Sequence, residues 1–285
     1  MKKLDKKASK RVHIWLRIIT QVFFFLFMPS VFTAAFSEIK YIFTQFGAGD
    51  KIEFTSFAMV LIITCIYTLV FGRFFCGYAC AFGSLGDAVH ALYQWIRKKG
   101  KKKPVRIPEK LMKRLQAVKY LVLAAVAVLC FTGLFQYVEG ASPWTVFSMI
   151  RQGNFRLGGC VAGVVFLILI LAGMCVQDRF FCRVLCPMGA VFSILPVIPA
   201  FTLRRDRGNC LKGCRVCTMK CHSDLELPAT GKAEVHGDCF QCQKCIDNCP
   251  EGNVHIGIPG MKGNEIWFTV LRSVLLFGIF LWAGV

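Results

Sequence analysis

Residues 73–80 read RFFCGYAC, and residues 179–186 read RFFCRVLC. The second copy begins 106 positions after the first (73 to 179), and at that offset Gly83 and Gly189 extend the match. Each copy closes a long apolar run with two cysteines four residues apart. The runs before them echo each other as well: Phe43 and Thr44 resemble Phe147 and Ser148, and Gly49 and Asp50 resemble Gly153 and Asn154. The repeated unit is therefore helix, loop, helix, Cys-x-x-x-Cys. Its two copies point the same way, and parallel repeats of this kind are usually related by an axis along the membrane normal.

The surrounding composition makes these runs membrane spans. Of 285 residues, 55% are hydrophobic, against about 45–50% in soluble domains, and the mean hydropathy is +0.55. A bilayer-spanning helix needs roughly 20 apolar residues. Residues 12–36, 57–75, 118–137 and 159–176 meet that length closely enough to read as spans, and 266–285 reads as a fifth. The fold class this predicts is an all-α integral membrane bundle. It has two parallel two-helix repeats, a C-terminal span and a small cytoplasmic ferredoxin-like segment.

The net charge of +19 invites a nucleic-acid reading, but its distribution removes it. Basic residues concentrate in 2–17 and 97–114, both beside spans, where the positive-inside rule places them in the cytoplasm. The expectation is a multi-pass protein of the cytoplasmic membrane. Its N-terminus, the loop 76–117 and the segment 177–264 lie inside, while 37–56, 138–158 and the C-terminus lie outside. No nucleic acid is expected as a partner; the lipid bilayer is.

Sixteen cysteines remain. Those with motif spacing all fall on the expected cytoplasmic side, a reducing compartment that disfavours disulfides, so metal ligation is the stronger reading. Cys239, Cys242, Cys245 and Cys249, followed by Pro250, have the C-x2-C-x2-C-x3-C-P spacing of bacterial ferredoxins. Zinc fits four cysteines packed this closely poorly. Cys210, Cys214, Cys217 and Cys221 form a second quartet, one residue longer at its start, with His222 where the proline would stand. By the crossed ligation of two-cluster ferredoxins, Cys210, Cys214, Cys217 and Cys249 are expected to hold one [4Fe–4S] cluster, with the inserted residue leaving Cys210 open as a non-ligand. Cys239, Cys242, Cys245 and Cys221 hold the other. A segment of about 60 residues buries little apolar surface, and two clusters would serve as its staples.

Cys76, Cys80, Cys182 and Cys186 are candidates for a third iron–sulfur centre. Residues i and i+4 share a helix face, and two pairs together supply four thiolates; packing or thiol chemistry is the alternative. Gly83 and Gly189 fit helix C-caps. Arg73 and Arg179 fit anchors at the cytoplasmic edge, or charges that offset a thiolate-bound cluster. Cys65, Cys130, Cys160 and Cys175 lack motif spacing and read as packing residues. Trp144 reads as an outer-interface residue, and Arg272 in the last span as one that snorkels inward. The histidines, His13, His90, His222, His236 and His255, offer no pair to ligate haem within a bilayer.

Spans that carry two Cys-x-x-x-Cys motifs, the second followed by Pro187, and then a polyferredoxin segment, resemble the NapH/NosR-type membrane iron–sulfur proteins over about residues 12–258. The first motif departs from that pattern with Ala81 in place of the proline. The resemblance implies an electron-transfer subunit that links a cytoplasmic or quinol donor to an extracytoplasmic redox partner carrying flavin or haem, with quinone as a further cofactor. Whether it is itself a quinol dehydrogenase stays open. An iron–sulfur redox-sensing regulator and a structural assembly subunit of a larger membrane reductase are the alternatives. The expected domains are membrane repeat 1 (1–96), a basic linker (97–117), membrane repeat 2 (118–202), the two-cluster segment (203–262) and the last span (263–285).

Overall fold

The computed structural model describes residues 6–101, 105, 107–155, 158–206, 208, 210–211, 213–228, 230–258 and 265–284. The expected boundary at 262/263 and the last residue of the fifth span fall outside them. In chain order the helices are α1 (Lys6–Phe27), α2 (Val31–Ala48), α3 (Ser56–Phe71), α4 (Phe74–Tyr78), α5 (Ala81–Lys99), α6 (Glu109–Leu115), α7 (Val118–Phe131), α8 (Phe135–Val138), α9 (Pro143–Arg151), α10 (Val161–Val176), α11 (Phe180–Val184) and α12 (Pro187–Ile194). Then come β1 (Leu203–Asp206), α13 (Val216–Met219), β2 (Thr230–Ala233), α14 (Lys244–Asn248), β3 (Val254–Ile256) and α15 (Glu265–Trp282). The chain is mostly helical. Among the described residues three stretches are long and apolar enough to cross a membrane: Lys110–Phe131, Gly158–Val176 and Glu265–Trp282. Lys7–Phe27 with Val31–Ala48 makes a fourth if the broken pair is one span.

Two expected spans differ from this. The run 12–36 is interrupted at Pro29, which has no N–H to continue a helix. The Met28 amide closes α1 on Phe24, and the chain restarts with Ser30 accepting from Ala34. The expected outer loop 37–56 is helical as far as Ala48, where left-handed Gly49 (φ 74°) caps α2 by donating to the Gln45 carbonyl. The run 57–75 stops at Phe71. At about 1.5 Å per residue, α3 falls short of a hydrocarbon core about 30 Å thick. Gly72, at φ 66°, makes the turn into α4.

The described chain divides into two compact units: Met1–Met28, Ile63–Cys80 and Val191–Val285 form the first, and Pro29–Ile62 with Ala81–Ala190 the second. Two of the four divisions, after Cys80 and after Ala190, fall close behind the repeated motif. Each unit joins the motif of one repeat to the stretch that follows the motif in the other.

In the first unit, β1 pairs antiparallel with β2 and with β3, giving the order β2-β1-β3. Leu203 stands opposite Ile256 and Arg205 opposite Val254, so Leu203 and Arg205 share one face of the strand. That face closes a core of Leu203, Cys217, Leu227, Cys245, Val254, Ile256 and, from α15, Phe268. In the second unit α2 packs against α7, and α5 and α9 pack against α10. The first contact needs glycine: a Cβ on Gly47 would fall 1.9 Å from the Phe131 carbonyl oxygen. Helix α9 starts on Ser142, whose hydroxyl accepts the Thr145 amide, with Pro143 in the first turn.

Candidate iron–sulfur sites

A small pocket in the first unit is lined by Cys217, Cys221, Cys239, Cys242 and Cys245. Its walls also include Leu203, Phe240 and Gln243. One-turn helices α13 and α14 carry Cys217 and Cys245 into it. The structure thus brings two cysteines of the first quartet, Cys221 and also Cys217 of the other expected set, together with Cys239, Cys242 and Cys245. The thiols feel one another. Burial, then the neighbouring Cys242, pushes the Cys221 thiol up to about 11. Burial pushes Cys239 and Cys245 well above the usual thiol range, with Cys221 and Cys242 adding to both. Crowded, desolvated thiols gain from a cation that takes their charge.

Of the other expected set, Cys249 accepts the Asn253 amide at 3.3 Å, and the Asn253 side chain reaches Cys210 Sγ at 3.8 Å. Cys217 accepts from the buried Arg205 guanidinium at 3.4 Å. Cys214 is half-buried.

The loop between the ligand positions is strained. Gln241 (φ 50°) and Gln243 (φ 60°) flank Cys242 in the left-handed region, which non-glycine residues enter at a cost of order 1–3 kcal/mol. Both are buried. Left-handed residues alternating with others turn successive amides to one side and build an anion-binding concavity. A thiolate-bound cluster is such an anion, so loop and cavity fit the group that the cysteine spacing implies.

Helix α1 reaches this loop with one face. Lys10 donates to Asn248 at 2.8 Å, His13 pairs with Asp247, Arg17 donates to the Cys242 carbonyl, and Gln21 donates to the Gly77 carbonyl at 3.3 Å. Charge asymmetry explains the basic residues as topology signals, yet here they grip the cysteine loop. The polar spacing 10, 13, 17, 21 is helical and carries that information in the sequence.

The two motif copies fold alike. In each, the carbonyl of the second Phe accepts two amides: Phe75 from Ala79 (2.8 Å) and Cys80 (2.9 Å), and Phe181 from Leu185 (3.0 Å) and Cys186 (2.9 Å). The helix therefore ends between the cysteines, and the pair does not share a continuous helix face. Gly83 and Gly189 are not C-caps; they lie in the first turns of α5 and α12. The Gly189 amide donates to Cys186 Sγ at 3.2 Å. Cys186 thus serves as the N-cap of α12 with Pro187 at the first position, where a missing N–H costs nothing.

Arg73 and Arg179 are not edge anchors. Each is 1% exposed and ion-paired. Arg73 donates to Asp238 at 2.8 Å and to Ser193 at 3.3 Å, and lies over the Phe240 ring at 4.6 Å. Arg179 binds Asp87 through Nε at 3.0 Å and Nη2 at 2.5 Å. Asp87 and Ser193 are 106 positions apart, so each arginine reaches the equivalent position in the other repeat. Burial opposes the charge of Arg179, but Asp87 holds its pKa above the ordinary arginine value.

In the first unit the motif also touches the cysteine loop directly. Gly77, between Cys76 and Cys80, has room for no side chain: its Cβ would meet the Phe240 carbonyl oxygen at 2.6 Å. In the second unit Phe181, next to Cys182, stacks on Phe82 at 4.7 Å and lies 6.2 Å from Trp144. Trp144 also packs against Phe36 at 5.1 Å. It lines an open pocket with Ser37, Lys40, Glu139, Thr145 and Gln152.

The 4Fe-4S binding domain family matches residues 53–103 and 161–205. Each stretch holds one motif pair, and the match does not extend to the cysteines from 210 onward. The chain is 29% identical to an uncharacterized protein of Methanocaldococcus jannaschii, covering 83% of this chain and 84% of that one. It is 28% identical to the regulatory protein NosR of Pseudomonas aeruginosa, over 64% of this chain and 25% of NosR. It is 26% identical to the ferredoxin-type protein NapH of Haemophilus influenzae, over 67% of this chain and 64% of NapH. No solved structure matches. These relatives and the two matches to the 4Fe-4S binding domain bear out the resemblance to NapH/NosR-type polyferredoxin-like proteins.

Proposed function

We propose that the chain is a membrane-bound electron-transfer subunit linking a cytoplasmic or quinol donor to an extracytoplasmic redox partner that carries flavin or haem. The observation that carries this reading is the seat of Gly77 on Phe240, which sets the first motif pair directly against the loop of Cys239, Cys242 and Cys245. In this reading Cys221, Cys239, Cys242 and Cys245 hold one [4Fe–4S] cluster, and Cys210, Cys214, Cys217 and Cys249 hold the second. The clusters, when bound, supply one-electron storage.

We propose Cys76, Cys80, Cys182 and Cys186 as the ligands of a third iron–sulfur centre. Support comes from the family match, which falls once on each pair. Arg205 offsets thiolate charge at Cys217, and Arg73 fixes the motif to Asp238 beside Cys239. Clusters at the inner edge alone do not bridge a hydrocarbon core about 30 Å thick. A quinone meets that need, and the cavity beside Trp144 offers Lys40 and hydroxyl groups to its carbonyl oxygens.

The test is reduction in lipid vesicles. Anaerobically purified protein, mixed with a quinol or a low-potential cytoplasmic donor, develops the paramagnetic signals of reduced clusters. Fully loaded clusters that no donor reduces contradict the reading.

A further inference from the structure

Arg272 stands in the middle of α15, the last apolar helix, and is 1% exposed. It does not snorkel. Its guanidinium lies over the Phe74 ring at 4.4 Å and the Phe268 ring at 4.5 Å. Nε and Nη2 are buried and have no hydrogen-bond partner. No carboxylate pairs with it among the described residues. A desolvated cation without a counter-charge costs several kcal/mol, so the structure leaves a positive charge to be balanced.

The surroundings identify the anion. On the same face of α15, Phe268 packs into the core with Cys217 and Cys245, and Thr269 accepts from Gln243, between Cys242 and Cys245, at 2.7 Å. Phe74, beneath the guanidinium, precedes Cys76 by two residues. Tyr67 donates its hydroxyl to the Arg272 carbonyl at 2.8 Å, and the titratable groups whose charge reaches the guanidinium are Tyr78, Tyr67 and Cys239. Of these, only the cysteine becomes anionic when it takes up metal.

We infer that Arg272 is a positioning residue for the iron–sulfur centre held at Cys239, and that its charge stabilises the added negative charge of that centre's reduced state. The inference rests on the reading of Cys221, Cys239, Cys242 and Cys245 as cluster ligands. Wild-type protein without iron would overturn that reading; the measurements below address Arg272 alone.

The full-length protein is purified anaerobically as wild type, Arg272→Gln and Arg272→Lys, and each is titrated potentiometrically with detection by electron paramagnetic resonance. In Arg272→Gln, with wild-type iron content, the midpoint potential of one cluster falls and that of the other moves less. An unchanged potential at full iron content overturns the inference. Should Arg272→Gln not assemble, Arg272→Lys decides. Lysine loses its charge on going alkaline and arginine does not, so the variant's potential falls away from wild type as the pH rises. Tyr67 and Tyr78 are common to both proteins and drop out of the difference. A difference that stays constant with pH overturns the inference.

Discussion

The carbonyl oxygen of Phe240 lies 2.6 Å from where a side chain on Gly77 would begin. Position 77 is thus closed to every other residue while the cysteine loop stays docked. Gly77→Ala forces the two backbones apart and costs about 1–3 kcal/mol, as overpacking does. Thermal unfolding of the iron-loaded protein measures the loss. Wild-type stability in this variant would mean that the docking is loose.

The Arg73–Asp238 pair holds the same junction by charge. Removing one partner of a buried pair costs about 3–5 kcal/mol, because the other is left uncompensated. Asp238 keeps 16% of its side chain in solvent, which places Arg73→Gln toward the lower end. Arg73→Lys rescues it only in part, since an ammonium does not reproduce a guanidinium laid flat over Phe240. The readout is iron retained after mild heating. Asp87→Asn makes the corresponding test of Arg179.

The cysteine quartets, the duplicated motif and the apolar runs were all legible, because spacing and hydropathy are local properties of the chain. What sequence left hidden depends on partners far along it. Arg73 and Arg179 carry the same label as any edge arginine until Asp238 and Asp87 are found beside them. Trp144 has the look of an interface residue, and only the fold sets it against Phe181. The break at Pro29 was the one local signal outweighed, by the strength of the surrounding apolar run. The polar face of α1 stays hidden in the sequence because charge asymmetry already accounts for its basic residues.

The third centre proposed for Cys76, Cys80, Cys182 and Cys186 makes an equality testable. Cys76→Ser and Cys182→Ser lose the same amount of iron and the same spectral component, while the signals of the ferredoxin-like segment persist. The double variant loses no more than either single, because the two positions act as one unit. Full iron content in either single variant ends the shared-site reading.

Orientation follows from charge placement. Reporter fusions or cysteine-accessibility labels at Gly47 and Gly153 report outside, and at Lys232 inside. Lys232 outside would place the cysteine-rich segment on the opposite face and reverse the proposed direction of coupling.

The most direct measurement is the metal and spin content of the whole protein purified without oxygen. Two [4Fe–4S] clusters in the ferredoxin-like segment require about eight iron and eight acid-labile sulfide per chain, with the third centre adding to that total. On reduction, the paramagnetic resonance spectrum shows the magnetic coupling of two neighbouring clusters. Zinc in place of iron, or a single isolated cluster, contradicts the account.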